Sequence, residues 1–250
     1  MKYPLVNQSL CQIWGISDEM EIRYRQNGYC SPGMLIKDAH ITSKYRNSDK
    51  LQDSIQRFKK ACDLELTDVI INMFRVGHRV RVVHDLFSTA CFMDIETDST
   101  SINSAITCIT TSIDGNVRTF IRGKNLLDFL DVWNDTSVIV TFNGKRFDLP
   151  IIVKEFDLST IPAQVDLMEE GRPYGLHGGL KNIEKHIGYV RKDSEINGIT
   201  AVSLWREYTC DKKLAALDEL VSYNIEDVES LIYLYRHILM LSTEGRGFHI

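Results

Sequence analysis

No pair of cysteines in this chain is close enough to form a C-x-x-C motif; Cys11, Cys30, Cys62, Cys91, Cys108 and Cys210 are scattered along it. This argues against a zinc or dithiol redox site and fits a reduced, intracellular protein. Nor do His177 and His186 have zinc-ligand spacing. No run approaches the ~20 apolar residues of a membrane span. The start, "MKYPLVNQSLCQIWG", lacks a basic segment leading into an apolar core and a small-residue cleavage site. A soluble, cytoplasmic protein with no membrane partner is therefore expected. A surplus of positive charge is also missing. The 29 Lys and Arg against 34 Asp and Glu give a net charge of −5, which argues against indiscriminate binding to phosphate backbones. Local patches then matter more than the sum. No internal repeat or low-complexity tract is visible.

At 250 residues the chain exceeds a single domain of roughly 100–200 residues, so one larger domain with a small appendage is expected. From Cys91 the pattern is that of strands. "ACFMDIET" is followed by "AITCITTSI", the turn pair Asp114-Gly115 and "NVRTFI", a hairpin that extends the first strand. In "KNLLDFLDVWND", Leu126, Leu127, Leu130 and Trp133 recur at helical spacing, and "SVIVTF" after it is a continuous apolar strand. The result is a strand–helix–strand crossover. "LPIIVKEF", "GLKNIEKHIG", "ITAVSLWREYT" and the amphipathic segment Lys212 to Leu239 read as further helices. The fold class is α/β.

Before Cys91 the pattern is mainly helical and basic, with twelve Lys and Arg against seven Asp and Glu over residues 21–84. A boundary near Leu86 gives a helical amino-terminal region, 1–86, and a second domain, 87–250. The charge reads either as a solvated helical face or as a nucleic-acid contact. "FRVGHRVRVVHD" reads as an edge strand or linker with alternating arginines.

The singular feature is "ACFMDIETDS". Residues two apart on a strand share a face, so Asp94 and Glu96 project together while Met93 and Ile95 face the other way. Two such carboxylates repel unless a divalent cation neutralises them, and hard oxygen ligands suit Mg²⁺ or Mn²⁺. By itself D-x-E is weak evidence, equally compatible with an acidic strand end. Two more features carry acids. "VIVTFNGKRFDLP" places Asp148 at a helix start, where an acid also suits the macrodipole. In "LVSYNIEDVESL", Tyr223 and Asp227 lie four apart on one helical face.

The motifs "DIET", "VTFNGKRFDLP", "VDLM", "GGLKNIEKHIG" and "YNIEDV", in that order from about Cys91 to His237, resemble the DEDD superfamily of ribonuclease H-like 3′–5′ exonucleases. The likeness is to its tyrosine-bearing DEDDy branch, related to the proofreading domains of family-B DNA polymerases, and within it to the YprB-like family. It implies a mixed five-stranded sheet flanked by helices, with an acidic metal site at the end of the central strand. By that resemblance Asp94, Glu96, Asp148 and Asp227 hold two Mg²⁺ or Mn²⁺ ions, and Tyr223 orients the attacking water. Thr97, Asn143 and Lys181 are implied substrate contacts, although a turn role for Asn143 and a solvated position for Lys181 are equally open. Asp166 is either a supporting acid or a strand-end cap. The expected partner is single-stranded nucleic acid, DNA or RNA, and the activity 3′–5′ exonuclease. A structure-dependent endonuclease and a non-catalytic nucleic-acid-binding module remain as alternatives. In the amino-terminal region "WGISDEMEIRYRQNGYCSPGMLIKDA" resembles a helix-hairpin-helix whose turn, Gly15-Ile16-Ser17, lacks the second glycine.

Overall fold

Eight residues of alternating apolar and acidic character, "ACFMDIET", form strand β1 (Ala90–Thr97) in the middle of a sheet. The structure is a computed structural model that describes residues 2–38, 48–101, 103–192 and 197–248. The other strands are β2 (Ile106–Ile113), β3 (Asn116–Ile121), β4 (Val138–Thr141) and β5 (Ala163–Asp166), in the order β3-β2-β1-β4-β5. The hairpin expected from Asp114-Gly115 joins β2 to β3, and β2 runs antiparallel to β1. β4 and β5 are parallel additions that require crossovers. The sheet is therefore mixed and five-stranded, with helices on both sides.

The β1 alternation separates two environments. Cys91, Met93 and Ile95 pack into a core with Phe129, Trp133, Leu149 and Ile152, each fully buried aliphatic side chain contributing about 1.5–3 kcal/mol. On the opposite face Phe92 meets the ring of Tyr235 at 5.3 Å, and Cys108 packs with Ala201, Leu204, Leu220 and Tyr223. These last residues come from the Gly198–Asp211 and Leu214–Thr243 helices. Asp94 and Glu96 lie on this second face, beyond Phe92, the last β1 residue paired with β4.

The chain divides into two compact units, Phe87–His237 with the sheet, and Met1–Leu86 together with Ile238–Ile250. The carboxy-terminal stretch thus packs with the amino-terminal residues, whereas the sequence boundary left it with the domain before it. Buried Arg81 donates to the Ser242 carbonyl in the last turn of the Leu214–Thr243 helix, which Arg246 also reaches at 2.8 Å, and Arg25 donates to the carbonyls of Arg246 and Gly247 just beyond that helix.

In this first unit the described elements are all helical. Pro4–Gln8 and Asp18–Gln26 flank the Gly15-Ile16-Ser17 turn, where Gly15 takes a φ of 82° and Ser17 Oγ accepts the Met20 amide. "FRVGHRVRVVHD" is not an edge strand: Val80–Asp85 is a helix. Its Val80, Arg81, Val82 and Val83 are all buried, so a helix wrapped on every side, not a half-exposed strand, accounts for the apolar density. Among the described residues no helix is long and apolar enough to cross a membrane, and all six cysteines are free thiols.

Candidate active site

β1 continues past the end of β4, which leaves the Ile95 amide without a ladder partner on that side. The Asp148 carboxylate takes this amide and its own backbone N–H, at the first turn of the Asp148–Phe156 helix. The turn feeding that helix is tightly made. Asn143 has a φ of 61°, and a Cβ on Gly144 would come within 2.5 Å of Thr141 Cβ, so only glycine fits there. Asp166 fixes the turn from β5, accepting the Asn143 amide at 2.8 Å and capping the next helix through Met168 N at 3.0 Å. Asp166 is therefore a strand-end cap that also braces the Asp148 loop. Asn143 contributes its backbone to that brace. Thr97 is buried, and its hydroxyl donates to the Ser99 carbonyl at 2.6 Å.

Ligand oxygens of Asp94, Glu96 and Asp227 lie within 4.8 Å of one another. Asp148, 4% exposed, stands beside this group but outside it. The Leu214–Thr243 helix supplies Asp227 and, one turn earlier, Tyr223, whose hydroxyl donates to Asp227. Lys181, from the Leu180–Ile187 helix, reaches to 5.3 Å above the Tyr223 ring. Asp94, Lys181, Arg191, Tyr223 and Asp227 share the wall of an open cleft of about 350 Å³.

The electrostatics are those of a site short of positive charge. Burial, then the carboxylates of Asp227, Asp148 and Glu96, hold the Asp94 carboxyl well above its ordinary range. Burial followed by Asp227 and Asp148 does the same to Glu96, with Lys181 opposing. Asp148 is pushed up to about 7, by burial above all. Asp227 is raised by burial despite the Arg191 guanidinium beside it. Burial and the carboxylates of Asp227, Glu96 and Asp94 lift the Tyr223 phenol above its usual range, so it is a poor base at neutral pH. Carboxylates that outnumber the cations beside them, gathered from separate elements at one cleft, fit divalent cations.

Three contributors were not read from the sequence. Asn224, fully buried, donates to Asp94 Oδ2 at 2.7 Å and accepts from Cys108 Sγ at 3.6 Å. Its signal was present: it lies three residues before Asp227, on the same face of the helix. Arg191 forks onto Glu184 with bonds of 2.7 and 2.6 Å and donates to Asp227 as well. Nothing local marks Arg191 or Glu184, since their pairing is made across a loop.

Residues 91–239 match the family model described as RNase_H superfamily. In structure the chain is similar to a family B DNA polymerase from the hyperthermophilic archaeon Pyrobaculum calidifontis, with a TM-score of 0.50 and 18% identity over 63% of this chain and 25% of that chain. At that identity the likeness shows the fold alone, and it spans a quarter of the polymerase's length. No curated protein matches the chain in sequence.

Proposed function

The chain belongs to the RNase H superfamily, and from that membership and the acidic cleft we propose that it is a metal-dependent 3′–5′ exonuclease of the DEDDy type, hydrolysing phosphodiester bonds of single-stranded nucleic acid. The observation that carries this reading is the convergence of Asp94, Glu96 and Asp227 within 4.8 Å, with Asp148 adjoining, at an open cleft. Two Mg²⁺ or Mn²⁺ ions bound by these acids would neutralise them and polarise the phosphodiester for in-line displacement. Asp94 is held in place by Asn224 and would be a ligand to both ions. Glu96 and Asp227 would complete one ion's ligands, and Asp148 would serve the other.

The remaining roles belong to the chain's own groups. Tyr223, hydrogen-bonded to Asp227, would orient the attacking water and share its proton, a role compatible with its raised pKa, which disfavours general base work at neutral pH. Lys181 brings a cation to the wall of the cleft where a phosphate would lie. Thr97 at the end of β1 and Asn143 in the turn after β4 are proposed to contact the substrate, through backbone groups in the case of Thr97, because its hydroxyl is engaged.

End-labelled and circular single strands of DNA and RNA, incubated with Mg²⁺, Mn²⁺ or excess EDTA, test the proposal. The expected result is stepwise shortening from the 3′ end, intact circles and no reaction with EDTA. Cleavage of circles would point to an endonuclease on the same site, and hydrolysis undiminished by chelation would overturn the metal mechanism.

A further inference from the structure

Arg191 is an unusual neighbour for a cation site. Its side chain is 4% exposed, yet it leaves the Leu180–Ile187 helix behind and enters the acidic cleft from a loop. Nε and Nη2 donate to the two oxygens of Glu184, at 2.7 and 2.6 Å, and Nη2 also donates to Asp227 Oδ1. Buried Nη1 has no hydrogen-bond partner among the described residues. A guanidinium keeps its charge at any physiological pH, so it can leave Asp227 only by moving and never by losing a proton.

We propose that Arg191 is the resident counter-ion of the metal-free site: it holds Asp227 through Oδ1, a divalent cation must compete with it for that carboxylate, and the Arg191–Glu184 pair thereby tunes the affinity for metal. The inference rests on the reading of the acidic cleft as a metal site. Three features of the geometry support it. The cation lies on one of the three clustered carboxylates and not at the rim. Displacement breaks a single bond and leaves the fork to Glu184 intact, so the arginine remains paired when it yields. Glu184, 2% exposed and on a different helix from Asp227, provides the second carboxylate that makes an exchange possible without stranding a buried charge.

Two substitutions should then move metal affinity in opposite directions. In the pair Arg191→Gln with Glu184→Gln, both charges go together and Asp227 is left free. Mn²⁺ should bind on the order of tenfold more tightly, because the Asp227 carboxylate no longer shares its charge with a guanidinium while the local net charge stays the same. Glu184→Gln alone leaves Asp227 as the only carboxylate on Arg191 and should weaken Mn²⁺ several-fold. In an Asp227→Asn background the gain from the double change should vanish, because the group under competition is gone; a merely structural role of Arg191 would shift both backgrounds alike.

Isothermal titration of the metal-stripped full chain with MnCl₂, without nucleic acid, reads all of this, and thermal melting reports whether each variant is folded. Unchanged or weaker binding in a folded double variant, or no weakening in Glu184→Gln, overturns the inference. If the parent still binds Mn²⁺ and hydrolyses single strands, the nuclease reading stands without it. Failure of the parent itself to bind Mn²⁺ sinks both.

Discussion

Asp148→Asn should make the metal-free protein more stable at pH 8. The carboxyl is 4% exposed and is raised from 3.8 to about 7, with burial outweighing the hydrogen bonds from its own amide and that of Ile95. A gap of that size corresponds to roughly 4 kcal/mol between protonation states. Because the folded pKa lies above the unfolded one, the folded state holds the proton more firmly. The penalty is absent below the unfolded value, grows as pH rises between the two, and is complete above about 7. Asparagine keeps the shape and one acceptor but gives up a charge-assisted hydrogen bond worth ~1–2 kcal/mol. The net gain at pH 8 is then about 2–3 kcal/mol, or roughly 5–10 °C in melting temperature for a chain of this size. It should shrink towards pH 5, where the parent carboxyl is protonated. Saturating Mn²⁺ should cancel it by stabilising the parent preferentially. Thermal melts in EDTA from pH 5 to 8, repeated with Mn²⁺, measure each part. A variant that melts at or below the parent at pH 8 in EDTA, with the same dependence on pH, would refute the reasoning.

Tyr223→Phe should fold normally and bind Mn²⁺ like the parent while its single-strand hydrolysis falls by roughly 10²–10⁴; a parent-like rate would leave Tyr223 as core packing. Asp94→Asn should remove turnover without lowering the melting temperature in EDTA, since it relieves repulsion and preserves a partner for Asn224, and retained turnover would show the site to be misplaced. For Gly144→Ala, a Cβ 2.3 Å from Thr141 Oγ1 should cost about 1–3 kcal/mol and weaken Mn²⁺ binding through the Asp148 loop, both read by melting and calorimetry. Arg81→Ala should cost the first unit about 1–3 kcal/mol in urea unfolding, because Glu21, unexposed like Arg81 itself, would lose its 3.1 Å partner and keep only Arg246, at 3.2 Å, as an ion-pair partner.

What the sequence made legible was whatever depends on short spacing. Period two in "ACFMDIET" separates Met93 and Ile95 from Asp94 and Glu96, and the structure has the first pair in the core and the second at the cleft. The Tyr223 to Asp227 interval puts phenol and carboxylate one helical turn apart, and they are hydrogen-bonded. The four-residue strand Ala163–Asp166 is too short for alternation to declare it, and only the family resemblance supplied a fifth strand. "FRVGHRVRVVHD" misled for a related reason. Arg79 and Arg81 alternating with Val80 and Val82 imitate a strand with a wet face, but the helix of Val80–Asp85 buries Arg81 with the valines.

Arginine is where the reading by composition breaks down, and the consequence reaches function. Counting twelve Lys and Arg over residues 21–84 treats each as a charge offered to solvent, and hence to phosphate. Arg81 instead is spent on Glu21, sixty residues away, and Arg25 on carbonyls of Arg246 and Gly247. Arg75 is paired with Asp18. The positive charge the first unit can present is smaller than its composition suggests, which weakens the case for it as an electrostatic clamp on nucleic acid. Arg191 makes the same point in the sheet-bearing unit. It looks like one more basic residue in "GYVRKD", yet its partners Glu184 and Asp227 lie 7 and 36 residues away. A side chain that long finds its partner in space, and no short window of sequence joins Arg191 to Asp227. The acids could be read because backbone geometry places them; of the cations beside them only Lys181 came with the family motif, and Arg191 could not be read, because folding alone brings it to Asp227.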